Sequence, residues 1–100
     1  MPAFATLIVV CALSSNGKGA ECEVVVHDKF RALSQPLCIN QLERVRFKAA
    51  DELMKRLKVY ELLPGSHNCF NSAAIRNTTL TKVRNQFDKA GIAYRVTNKD

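Results

Sequence analysis

Phe4-Ala5-Thr6-Leu7-Ile8-Val9-Val10-Cys11-Ala12-Leu13-Ser14-Ser15-Asn16-Gly17-Lys18-Gly19-Ala20-Glu21-Cys22-Glu23-Val24-Val25-Val26-His27 decides the fold. Asn16-Gly17 is a strong signal for a two-residue hairpin turn, because a type I′ turn needs positive φ at both central residues. A turn there sets the register. Leu7 pairs with Val26, Val9 with Val24, Cys11 with Cys22 and Leu13 with Ala20, all apolar or small on one face. The other face pairs Thr6 with His27, Ile8 with Val25, Val10 with Glu23 and Ala12 with Glu21. A strand apolar on both faces reads as central, and one carrying outward charges reads as an edge. The first strand is therefore predicted central and Glu21–His27 an edge. The run Ala3–Leu13 is also too short for a membrane span, which needs about 20 residues. As a signal peptide it lacks a preceding Lys or Arg, and Lys18-Gly19-Ala20 is a poor cleavage site.

Outward from the hairpin, Leu42, Val45, Ala49, Ala50, Leu53, Leu57 and Tyr60 fall at helical spacing, with Cys38 and Ile39 extending the stripe backwards. These residues predict a long helix over about 36–62, ending before Pro64-Gly65. Residues 65–70 read as a loop. Ser72 to Arg76 reads as a short helix, Asn77-Thr78 as a turn, and Thr79 to Ala90 as a third helix closed by Gly91. Ile92–Thr97 alternates as a last strand.

The fold class is thus α+β over a single domain of 100 residues, a two-layer sandwich in the order β-β-α-(α)-α-β. The expected elements are a hairpin 4–27, the long helix, a helical pair 72–90 and a strand 92–97. Three strands form the sheet, with Glu21–His27 and Ile92–Thr97 flanking the central one. All helices are expected on the face of Leu7, Val9 and Cys11. At 47% hydrophobic and 24% charged, the chain is too apolar to be disordered.

Chemistry is sparse. Cys11, Cys22, Cys38 and Cys69 show no C-x-x-C spacing. Three lie on apolar stripes, and beside a two-residue turn the 11/22 pair would be hydrogen-bonded, a geometry that suits a disulfide poorly. Four thiols and a reducing, cytoplasmic compartment are expected. His67-x-Cys69 with Cys38 or His27 lacks the paired short spacings of a zinc site. No third group orients a Cys/His pair for nucleophilic catalysis. Asp51-Glu52 point to different helical faces, and Gly17-x-Gly19 belongs to the turn. The reading is no enzyme, no metal and no cofactor.

The charge balance is 15 Lys+Arg against nine Asp+Glu, formally +6. The C-terminal third has the rhythm of a helix-turn-helix followed by a wing. Thr81, Lys82, Asn85 and Lys89 share one side of the last helix, types that meet phosphates and base edges in a major groove. Arg76, Arg84 and Arg95 would flank them on phosphates. DNA or RNA is the expected partner of a small basic regulatory protein. The alternative is a regulator or inhibitor that binds an acidic protein partner through its edge strand or a helical face.

Overall fold

The computed structural model describes residues 1–13, 19–57 and 61–100. The order is β1 (Ala3–Leu13), β2 (Ala20–Arg31), α1 (Gln35–Leu57), β3 (Glu61–Phe70), α2 (Ala73–Ala90) and β4 (Ala93–Asn98). The class is α+β with a mixed sheet, ordered β3-β1-β2-β4. β1 is antiparallel to both β2 and β3, while β4 runs parallel to β2.

All eight hairpin pairs from Thr6–His27 to Leu13–Ala20 occur as the sequence predicts. The Asn16-Gly17 turn itself lies outside the described residues. β1 is interior, as its two apolar faces require. Two expectations about its neighbours fail. β2 is not an edge, because β4 pairs with it rather than with β1. The segment expected to be a loop, residues 65–70, belongs to β3, which covers the other side of β1.

Pro64-Gly65, expected where the long helix gives way to a loop, sits inside an edge strand. Proline lacks an N–H, and an edge strand at a bulge tolerates that. The ladder shifts there, between the Val9 and Cys11 pairings. A Cβ on Gly65 would lie 2.6 Å from the Val9 carbonyl oxygen, so only glycine permits this approach of β3 to β1.

The helices do not share a face. Cys38, Leu42, Ala49, Ala50 and Leu53 of α1 pack on Ile8, Val10 and Val25. Leu80, Val83 and Phe87 of α2 pack on Leu7, Val24 and Val26. Successive strand residues point to opposite faces, so the sheet is sandwiched and the molecule has three layers. β1 is apolar on both sides because a helix covers each side. The glutamates of β2 are paired with cations: Glu21 meets Arg56, and Glu23 meets Arg56 and Arg95.

α1 starts one residue earlier than predicted, after Ser34, whose hydroxyl accepts from the Leu37 N–H. The described helix runs to Leu57, residues 58–60, with Tyr60 of the expected stripe, lie outside the described residues, and residues 61 and 62 already belong to β3. The largest departure concerns the expected helical pair over 72–90, where Ala73–Ala90 form one uninterrupted helix and no helix-turn-helix. Asn77-Thr78 contains no helix breaker. The Thr78 hydroxyl donates to the Ala74 carbonyl and the Thr81 hydroxyl to the Asn77 carbonyl, satisfying both threonines within the helix. Ser72 caps the start by accepting from the Ile75 N–H, and Gly91 closes the end at φ 67°.

The cysteines are paired. Cys11 bonds Cys22 and Cys38 bonds Cys69. The expected pairing of strands was right but the phase of the ladder was not. A Cα separation of 4.0 Å belongs to a non-hydrogen-bonded pair, whose side chains approach closely enough to join. The second bridge fastens the first turns of α1 to β3. The inference to a reducing compartment, which rested on four thiols, is therefore withdrawn.

Candidate functional site

The predicted nucleic-acid residues divide into three groups. Arg76 is buried, 4% exposed, and does not belong to any surface. A bulge between the Phe4 and Thr6 pairings opens the β1–β2 ladder. Arg76 reaches into that opening from α2. Its Nη1 donates to the carbonyls of Thr6 (3.2 Å) and His27 (3.0 Å), its Nη2 to Asp28 Oδ1 (2.6 Å), and its Nε to Asn77 Oδ1. Arg76 thus fixes α2 to the sheet. The guanidinium and an Asn98 hydrogen bond hold the Asp28 carboxyl below its ordinary range.

Arg95 is exposed but engaged, with Nη2 3.0 Å from both carboxylate oxygens of Glu23. Thr97 donates to the same carboxylate, and Arg56 approaches it from α1. This cluster ties β2, β4 and α1 together. Neither Arg76 nor Arg95 is available to a phosphate in the manner expected.

Thr81, Lys82, Arg84, Asn85 and Lys89 remain, all exposed on α2. Taking Leu80, Val83 and Phe87 as the inward side, Thr81, Lys82, Asn85 and Lys89 lie opposite. The expected polar face therefore exists, on a straight helix with no wing beside it. Asp88 interrupts its cationic flank.

A second surface was missed. Between α1 and β3 lies an open cleft of about 340 Å³, lined by Val10, Ala50, Leu62, Leu63 and Gly65, with Arg46 and Phe47 at its rim. Phe47 is 60% exposed, Met54 41% and Leu62 39%. The Arg46 guanidinium lies 5.2 Å from the Phe47 ring centroid and donates to the Gly65 carbonyl. A faint signal for this surface is in the sequence. Phe47 and Met54 are seven apart, two helical turns, and both fall off the core stripe of α1.

The free edge of β3 is blunted. Arg46 occupies the Gly65 carbonyl, Gln35 the Cys69 carbonyl, and the Asn68 side chain accepts from the Cys69 N–H. Three backbone groups that would help template an added strand are thereby engaged.

Nothing in the described residues assembles a metal or nucleophilic centre. Cys38 and Cys69 are consumed by their bridge, and no group of three His, Cys, Asp or Glu could hold a metal. His67 Nδ1 is buried with no hydrogen-bond partner. His27 is held by Thr6, whose hydroxyl oxygen lies 2.8 Å from Nδ1 and also accepts the His27 backbone N–H. Burial lowers its pKa from the ordinary 6.5, against an opposing pull from Asp100. No described helix is long and apolar enough to cross a membrane. The chain matches no protein-family model, and comparison with curated proteins and with solved structures finds no match.

Proposed function

We propose that this chain is a small, disulfide-stapled, non-catalytic binding protein that engages a partner protein through α1 and the adjoining end of β3. The observation that carries this is the exposure of Phe47 and Leu62 at one cleft, with Met54 exposed two turns along α1 from Phe47. Aromatic, Met and Arg side chains are enriched at interface cores, and an exposed aromatic under a guanidinium suits an anchoring position. At this surface side-chain packing is favoured over strand addition, because Arg46 and Gln35 occupy the Gly65 and Cys69 carbonyls of the adjoining β3 edge. A regulator or inhibitor of this kind needs no catalytic group. The two disulfides favour an oxidising compartment over the cytoplasm.

A second reading, binding of DNA or RNA, is supported by the exposed Thr81, Lys82, Arg84, Asn85 and Lys89 of α2. One pair of measurements separates the two. Fluorescence anisotropy with mixed DNA and RNA at low salt is expected to detect no binding. A partner retained from native extract by the wild type is expected to be lost with Phe47→Ser and kept with Lys82→Ala/Lys89→Ala. Nucleic-acid affinity that falls steeply with salt, or a partner indifferent to Phe47→Ser, overturns the protein-binding reading.

A further inference from the structure

We propose that the free edge of β4 is the interface of a symmetric dimer, in which two copies of this chain pair β4 with β4 antiparallel. The inference does not depend on the surface proposed for a protein partner, which adjoins the opposite edge of the sheet. The two edges are built differently. The β3 edge carries a proline, a bulge, and side chains on the Gly65 carbonyl, the Cys69 carbonyl and the Cys69 N–H. β4 has none of these devices: Ala93–Asn98 holds no proline or glycine and pairs with β2 without a register shift. Its one charged side chain, Arg95, is drawn back to Glu23. An edge left open in this way templates a further strand.

Which backbone groups face outward follows from the β2–β4 ladder. The Lys99 N–H donates to the Val26 carbonyl, and Val26 pairs with Asn98. In a parallel ladder, alternate residues turn both their N–H and C=O to the same neighbour. Lys99, Thr97, Arg95 and Ala93 therefore face β2, while Tyr94, Val96 and Asn98 turn their backbone groups away from it. Among the described residues, no strand, loop or side chain takes these outward groups. The tail leaves them open as well, because Lys99 bonds to Val26 and the Asp100 carboxylate accepts from the N–H groups of Asp28 and Lys29.

A second copy is the occupant because the edge is its own complement. With the two-fold axis at Val96, Val96 faces its counterpart, Tyr94 faces Asn98 and Arg95 faces Thr97. Every outward N–H and C=O on both copies is then paired. Moving the axis to Arg95 sets two arginines directly opposite each other, and moving it to Thr97 leaves Tyr94 unpaired. Charge does not oppose the approach. β2, β4 and the tail carry Glu21, Glu23, Asp28 and Asp100 against Lys29, Arg31, Arg95 and Lys99, a balanced half of a chain that is +6 as a whole. Growth stops at two copies, because the outer edges of the joined sheet are then the blunted β3 strands.

The test is sedimentation equilibrium on the oxidised full chain from about 10 μM to about 1 mM, with amide hydrogen exchange at both ends of that range. Pairing over so short a strand makes a small interface, so the expected Kd is on the order of 100 μM. At the high concentration, the amides of Tyr94, Val96 and Asn98 are expected to exchange about fourfold more slowly, as the monomer fraction falls. Those of Arg95, Thr97 and Lys99, already bonded to β2, are expected to stay unchanged. Val96→Pro removes an outward N–H and leaves the bonds to β2 in place, so it is expected to be a folded monomer. Phe47→Ser, on α1, is expected to dimerise like wild type. If Val96→Pro fails to fold, the alternating amide pattern of the wild type decides alone. A chain that stays monomeric to about 1 mM overturns the proposal and leaves the edge to a foreign strand. So does a folded Val96→Pro that dimerises, a Phe47→Ser that does not, or protection without alternation.

Discussion

Replacing Arg76 by Met keeps an unbranched side chain in place and removes only the guanidinium. That group donates to two backbone carbonyls at a break in the β1–β2 ladder and to two side chains. The carbonyls of Thr6 and His27 lose these charge-assisted bonds when the guanidinium is removed. Thr6 is fully buried, so its acceptor carries most of the penalty. The Asp28 side chain is 42% exposed and rehydrates once its partner is gone, which lowers the total. Relief from desolvating the guanidinium lowers it further. Weighing two lost charge-assisted bonds to backbone acceptors against those reliefs gives a destabilisation of about 3 kcal/mol. At roughly 1 to 1.5 kcal/mol/M for a domain of this size, the urea midpoint should fall by about two to three molar. Asp28→Asn should cost clearly less, because both backbone bonds survive. Lys82→Ala, on the exposed side of the same helix, should stay within about 0.5 kcal/mol. An Arg76→Met protein with a wild-type midpoint would refute the reasoning, and with it the role of Arg76 as the fastener of α2.

Unfolded, non-reduced protein should titrate with no free sulfhydryl, and any thiol detected by Ellman's reagent counts against the pairing. Loop-closure entropy ranks the two bridges: Cys38–Cys69, with separation 31, should contribute about 3.7 kcal/mol, and Cys11–Cys22, with separation 11, about 2.8 kcal/mol. Paired Cys→Ala variants should therefore melt in that order, and a reversed order would show that packing outweighs chain entropy. Gly65→Ala should cost about 1 to 3 kcal/mol, since its Cβ would collide with the Val9 carbonyl and force β3 away from β1. A neutral outcome by chemical denaturation would mean that β3 yields easily. His27, with its folded pKa lowered by burial, binds fewer protons in the native state, so its contribution is fully present above pH 6.5 and declines as pH falls below that value. His27→Gln should flatten the stability–pH curve just below pH 6.5, and an unchanged slope there would assign the dependence to another group.

How far the candidate surfaces were legible depends on what kind of pattern carries them. The outer face of α2 was readable because helical periodicity survives any error in where the helix begins: Lys82, Asn85 and Lys89 face outward whether the helix is broken or continuous. Arg76 was misassigned for the complementary reason. An arginine between Ile75 and Asn77 looks solvated, and its burial depends on a ladder defect 70 residues earlier in the chain. The exposed Phe47 and Met54 were passed over because apolar residues on a helix are ordinarily counted toward its core.

Local pattern alone determined the hairpin register, since a two-residue period and small or apolar pairing partners permit no one-residue slip. It also determined the core stripe of α1 and the capped end of α2, which depend on neighbours within a turn. Tertiary structure alone decided that β4 lies beside β2, that β3 is a strand at all, that the helices take opposite faces, and that Cys38 meets Cys69. Each of these is a contact between distant segments, and the residues concerned read equally well in isolation as an edge, a loop, a one-sided layer or a buried thiol. Pro64-Gly65 is a common turn signal, and becomes part of an edge strand here because β1 offers a second row of backbone N–H and C=O groups that β3 pairs.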